Sequence, residues 1–269
     1  MINAIIEYVF MRNALFAGIL ASIVCGIIGT IIVEKKLVSM SGGIAHTSFG
    51  GIGLGYLLGI EPIIGGLGFA VAASLSIPVI NKRTKTNEDT IVGIFWSVGM
   101  ALGIFFLSLM PGYPPDMTTY LFGDILTVST GYVYGMLGLT ALVLVIILPK
   151  FSYWKAYLFD EEFAQLMGIR VKKFEIVLYI LIALSIVVLL KVVGIILVIA
   201  LLTIPPATAK LFSYDLKSMM LISSVLGMVY SIGGLYISYT FDIASGASII
   251  LFAASIYFVL MLIKRWIRK

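Results

Sequence analysis

Apolar residues run along this chain in blocks rather than in stripes. Nine stretches, 14–33, 44–60, 62–79, 91–109, 132–149, 176–190, 192–209, 218–239 and 246–263, are almost free of charge. A helix rises ~1.5 Å per residue, so each block reaches or nearly reaches the ~30 Å of a bilayer's hydrocarbon core. Apolar and polar residues do not alternate with the period of two that a membrane-barrel strand needs. A backbone facing lipid must bond to itself, which leaves helices. The pattern predicts an all-α polytopic transmembrane helical bundle of about eight to nine spans.

The block from 176 to 209, interrupted by Lys191, is too long for one ordinary crossing at about 50 Å. Charge decides between one crossing and two. Segments 34–43, 80–90, 150–175, 210–217 and 264–269, placed on one side, hold all of the 18 Lys and Arg residues except Arg12 and Lys191. Basic loops face the cytoplasm. A single crossing would put Lys264, Arg265, Arg268 and Lys269 outside, so two are expected. The N-terminus is then outside and the C-terminus inside, unless residues 1–13 form an interfacial helix on the inner face. The apolar run that follows Arg12 continues to Val33 and reads as a retained span, being longer than a signal peptide's apolar core.

Composition narrows the class. Of 269 residues 61% are hydrophobic and 12% charged, with mean hydropathy +1.14. A soluble domain cannot hide that much apolar surface. One cysteine, Cys25, excludes a disulfide framework. The net charge of +5 follows from membrane topology, and no basic patch is interleaved with base-stacking aromatics, so no nucleic-acid partner is expected. The loops are too short for a soluble module, and residues 1–269 read as a single transmembrane domain. No phosphate-binding GxxxxGK[ST] loop occurs, so any ATPase that powers this chain is a separate polypeptide.

The cytoplasmic loop 150–175 carries a second helical signal. Asp160, Glu161 and Glu162 stand where a helix dipole favours acids. Phe163, Leu166 and Met167 share one face, with Ala164 between them, and Gly168 is a C-terminal stop. The apolar face either rests on the membrane or the chain's own bundle, or docks a cytoplasmic partner.

A few polar groups sit at membrane depth. His46, the one histidine, is followed by Thr47 and Ser48 and can face a pathway or bind a transition metal; it can equally be bonded within the bundle. Asp124, Asp242 and Glu61 fall on the outer side, as helix caps or as an acidic mouth that attracts cations. Pro205 and Pro206 mark a kink, a helix end or a gated segment. Glycine is abundant, 27 residues, with clusters at 50–59 and 65–68 that permit close helix packing or breaks.

Five segments, taken in order, resemble the zinc and manganese permease family of ABC importers. They are SGGIAHTSFGGIGLGYLLG at 41–59, YLFGDILTVS at 120–129, FDEEFAQLMGI at 159–169, KVVGIILVIALLTIPPATAKL at 191–211 and GLYISYTFDIASGA at 234–247. The resemblance implies a non-catalytic, multi-pass permease in the cell membrane of a bacterium or archaeon. It implies a homodimer in membrane lipid, two cytoplasmic ABC ATPase subunits that alone hold ATP, and an external metal-binding protein. It makes the loop helix, with Asp160, Glu161, Glu162, Phe163, Ala164, Met167 and Gly168, a coupling helix for the ATPase. The cargo is then a divalent transition metal, zinc ahead of manganese and iron, with no permanently bound cofactor. His46, Asp124 and Asp242 are the pathway candidates. The family places an Asp four residues before its histidine, where this chain has Gly42. A secondary metal transporter driven by an ion gradient, or an ABC permease for an iron chelate or cobalamin, is the alternative. The first would need a buried ionisable pair in mid-span, and the second more spans.

Overall fold

The computed structural model describes residues 7–112, 120, 121, 123 and 125–267. The described chain is helical throughout: α1 (Val9–Glu34), α2 (Val38–Leu58), α3 (Pro62–Thr84), α4 (Glu88–Ser108), α5 (Thr130–Ile147), α6 (Phe151–Phe159), α7 (Glu161–Leu166), α8 (Val171–Lys210), α9 (Leu216–Phe241) and α10 (Ser245–Ile267), with a 3₁₀ turn at Ile125–Thr127. Each apolar stretch overlies a helix. Seven of the described helices, α1, α3, α4, α5, α8, α9 and α10, are long and apolar enough to cross a membrane. The fold is the expected all-α polytopic bundle.

α2 is the exception among the long helices. Its 21 residues include Ser39, Ser41, Gly42, Gly43, His46, Thr47, Ser48, Gly50 and Gly51. Most of α2 is buried, so it is shielded by protein. A helix this rich in glycine and hydroxyls is tolerated at membrane depth where neighbouring helices surround it.

Local chemistry sets the helix ends. Gly59 closes α2 in the left-handed region, φ 66°, which a Cβ would disfavour. Pro62 opens α3 at a position where its missing N–H costs nothing. The Asn87 side chain accepts from Asp89 N at 3.0 Å and caps α4; Asp215 accepts from Ser218 N at 3.2 Å and caps α9. Lys82 and Arg83 end α3, and Lys264 and Arg265 end α10, complementing the carbonyl ends of those dipoles.

The chain divides into two compact units. One comprises Met1–Glu34, Thr118–Ile146 and Val192–Lys269, and so contains α1, α5, the second part of α8, α9 and α10. In it α1 lies against α9: a Cβ on Gly26 would meet Ser224 backbone atoms at 2.6 Å, and the Ser22 and Ser231 hydroxyls are 3.3 Å apart. Asn13 Nδ2 donates to Val128 O at 3.1 Å and to Thr130 Oγ1 at 3.2 Å, fastening the start of α1 to that of α5. Lys210 pairs with Glu34 at 2.8 Å, and Lys264 Nζ donates to Leu211 O. The other unit comprises Lys35–Met117 and Ile147–Lys191. There α2 is packed between α3 and α4, with α6, α7 and the first part of α8.

α8 is two helices joined end to end. Its 40 residues are enough helix, about 60 Å in contour, for two crossings rather than one. The join is Gly194, φ 78° and ψ 161°, a conformation open to glycine alone. Gly123 fits against it: a Cβ there would lie 2.1 Å from Val193 O.

The interruption expected at Lys191 thus falls three residues on, at Gly194, while Pro205 and Pro206, expected as a kink, a helix end or a gated segment, sit within helix. Each removes the amide that would bond a carbonyl one turn back, Leu201 O or Leu202 O. Leu202 O points at Gly29 of α1, close enough that a Cβ on Gly29 would stand 2.5 Å away. A Cα–H donor from Gly29 can serve that freed oxygen. The Thr203 and Thr208 hydroxyls bond back to Ile199 O and Ile204 O, both at 2.8 Å.

Candidate functional site

His46 lies in the middle of α2. Its ring stacks on the indole of Trp96 from α4, with centroids 3.9 Å apart and planes 12° from parallel. The neighbouring hydroxyls are already satisfied. Thr47 Oγ1 is 2.7 Å from Gly43 O and 3.0 Å from Phe95 O, which ties α2 to α4, and Ser48 Oγ donates to Ala45 O at 2.6 Å. His46 Nδ1 is buried and has no hydrogen-bond partner among the described residues. Such an atom costs about 1–3 kcal/mol when nothing meets it. The ring is held by stacking and keeps one nitrogen that no described residue meets.

Asp242 belongs to the other compact unit, where it is exposed and ends α9 in the left-handed region, φ 53°. Its backbone amide bonds Ser238 O, so its visible role is that of a helix cap. Asp124 lies outside the described residues. Glu61 stands at the N-cap position of α3 without a side-chain capping bond. Among the described residues no three His, Cys, Asp or Glu side chains converge as a metal-ligand set.

The loop helix is built as its sequence suggests. The Asp160 carboxylate accepts from Phe163 N at 2.9 Å and caps α7, Glu161 and Glu162 fill its first turn, and Gly168 stops it at φ 76°. Its apolar face points away from the chain: Phe163, Leu166 and Met167 are all exposed, Leu166 at 87%. Ala164 is fully buried, so it supports the helix from beneath and offers no surface, contrary to its expected place among the docking residues. Under α7, Trp154 and Tyr157 of α6 are buried and Trp154 meets Phe174 edge-on at 4.7 Å. Lys35, at the junction of α1 and α2, pairs with Glu161 at 2.6 Å and lies 4.2 Å over the Tyr157 ring. Burial pushes the Tyr157 phenol up, so the ring stays neutral under its lysine. Lys82 pairs with Glu175 at 2.8 Å and braces the start of α8 against the end of α3.

Sequence reasoning missed Trp96 and Lys35. Neither has a local signal: the aromatic partner of His46 is 50 positions away by numbering, and Lys35 looks like an ordinary member of a basic loop.

A buried, glycine-rich helix carrying an unsatisfied imidazole, within a polytopic bundle that presents an exposed apolar helix from a charged loop, defines a membrane transport subunit. Comparison with known proteins makes this specific. The model of the ABC 3 transport family matches residues 7–264, and the chain belongs to that family. It is 38% identical over 260 residues to a membrane protein of Synechocystis sp., covering 97% of this chain and 92% of that one. It is 36% identical over 258 residues to the manganese import system permease protein ScaB of Streptococcus gordonii, covering 96% and 92%. Its fold superposes on a chain of PsaBC from Streptococcus pneumoniae, solved in complex with Fab, with TM-score 0.87, 34% identity and coverage of 96% and 93%. It is thus a multi-pass protein of a prokaryotic plasma membrane and a transport subunit rather than an enzyme.

Proposed function

We propose that this chain is the permease subunit of an ATP-driven importer of a divalent metal ion, with manganese as the cargo. The observation that carries the metal reading is His46: a ring held by Trp96 with a nitrogen that no described residue satisfies, in a chain of a transport family. A histidine ranks zinc and manganese alike as candidates, and the sequence alone places zinc first. The relative named for manganese import moves the weight to manganese. An imidazole by itself suits zinc or iron as well; carbonyl and water oxygens completing the shell would suit manganese. A transient site of few ligands also releases its ion. Two copies of the chain would enclose the pathway, two cytoplasmic ATPase subunits would seat on α7 of each, and an external binding protein would deliver the ion.

The test is uptake by vesicles that contain the permease and its ATPase. Manganese entry that requires ATP, and that excess zinc blocks less well than excess manganese, is the expected result. Entry driven by a proton gradient without the ATPase would overturn the ABC reading, and zinc entry in preference would overturn the cargo. His46→Ala is expected to lower manganese flux at least tenfold, about 1.4 kcal/mol of lost interaction with the ion in transit, while the complex still assembles. Unchanged flux would remove His46 from the pathway.

A further inference from the structure

α7 is a six-residue helix, and what matters is how its movement reaches the helix that carries His46. Two routes leave it. One is covalent: α7 continues through Gly168 into α8, and α6 below it is seated by Trp154 on Phe174. The other is Lys35. Its ammonium is bound twice, by the Glu161 carboxylate in the first turn of α7 and by the face of Tyr157 in α6. Lys35 is 16% exposed and Glu161 53%, so the ammonium end of the pair is covered while the carboxylate end meets solvent. On the far side of Lys35 the chain has little freedom. Lys36 is in the left-handed region at φ 59°, Leu37 is nearly buried, and Val38 begins α2. α2 is then held along its length by backbone contacts with α3 and α4. The contacts of Lys35 thus join the first turn of α7 to the residues that lead into the helix holding His46.

We propose that Lys35 is the transmission element of this permease. Through Glu161 and Tyr157 it makes the start of α2 follow the loop helix, so that ATPase closure acts on the helix of His46. Lys35 is a positioning residue that touches neither ion nor nucleotide. The inference rests on the proposed function, because it needs a partner that moves α7. Two arrangements of one contact, both biased by the partner, are what coupling requires physically.

The experiment measures ATP hydrolysed per manganese ion imported in vesicles holding the complete permease–ATPase complex, with complex formation followed by co-purification. Lys35→Met is expected to assemble normally and to raise the ratio at least fivefold, the lower end of ordinary coupling strengths. Lys35→Arg keeps charge and ring contact and is expected to stay within twofold of the parent ratio. Tyr157→Phe is expected to behave like the parent and Tyr157→Leu like Lys35→Met, because the ring and not the hydroxyl meets the ammonium. A parent-like ratio in Lys35→Met, a loss of the complex in that variant, or an equal rise in Lys35→Arg would each overturn the proposal. Absence of ATP-driven uptake in the parent complex would instead overturn the proposed function.

Discussion

Gly51→Ala is expected to melt well below the parent protein, by roughly 10 °C in detergent, and Gly68→Ala is not. The two glycines differ only in what surrounds them. A Cβ on Gly51 would stand 2.1 Å from Gly65 O and 2.5 Å from Gly65 C, and a Cβ on Gly65 would stand 2.1 Å from Gly51 O. These neighbours are backbone atoms and cannot rotate aside, so α2 and α3 must separate. The other side of α2 has no slack to receive the shift. Gly53 meets Gly103 O at 2.6 Å and Gly99 meets Thr47 Cα at 2.4 Å by the same construction, which presses α2 on α4 as closely. Overpacking at such a site costs on the order of 3 kcal/mol, and the melting shift follows from it. Gly68 has nothing within 4 Å of its Cβ position, and a helical alanine gains about 1 kcal/mol over glycine, so its substitution should leave the melting temperature unchanged or raise it. Fluorescence-detected size exclusion after heating reads both. Equal melting of the two variants would show that the α2–α3 contact is not as close as drawn.

The same glycines mark the limit of what could be read from the residues in order. Span positions were legible because burial in lipid needs only length and apolarity, and both are local. Positive charge fixed which loops belong together, and the Lys210–Glu34 and Lys82–Glu175 pairs join ends that the charge rule puts on one side. α7 was legible because its cap, acids and glycine stop lie within nine consecutive residues, Asp160 to Gly168. What escaped depends on partners distant in sequence. Gly51 reads as an ordinary packing glycine until Gly65 is seen against it. The break in the long apolar run was legible near Lys191, but its exact seat, Gly194, is one of 27 glycines and has no local mark, and Pro205 and Pro206 lie within helix. His46 could be named from its uniqueness, but its stacked indole could not, and which of its two readings Asp242 fits locally, a helix cap, needs the end of α9 to be seen.

Met167→Glu is expected to abolish ATPase docking without disturbing the bundle. Phe163, Leu166 and Met167 present exposed apolar surface from a loop that the positive-inside rule expects in the cytoplasm. Exposed apolar area of this kind is unfavourable in water at about 25 cal/mol per Å² and becomes a source of affinity once a groove closes over it. Met167 is 62% exposed, so its replacement removes few contacts within the chain and should change the permease's own stability by under about 0.5 kcal/mol. In the complex the same change sets a carboxylate into a desolvated apolar contact, and beside Glu161 and Glu162 it adds to a like-charged group. A central residue of such a contact carries about 2–4 kcal/mol, which is a loss of roughly 30-fold to 1,000-fold in affinity. Co-purification of the ATPase should fail, and permease-dependent ATP hydrolysis should fall to the level of the ATPase alone, while the melting temperature of the isolated permease stays where it was. Ala164→Glu separates the two kinds of position: Ala164 is fully buried beneath the helix, so a carboxylate there should unseat α7 and lower the permease's own melting temperature. If Met167→Glu co-purifies with its ATPase and stimulates hydrolysis normally, the exposed face of α7 is not where the partner grips, and the route from nucleotide to His46 must begin elsewhere on the cytoplasmic surface.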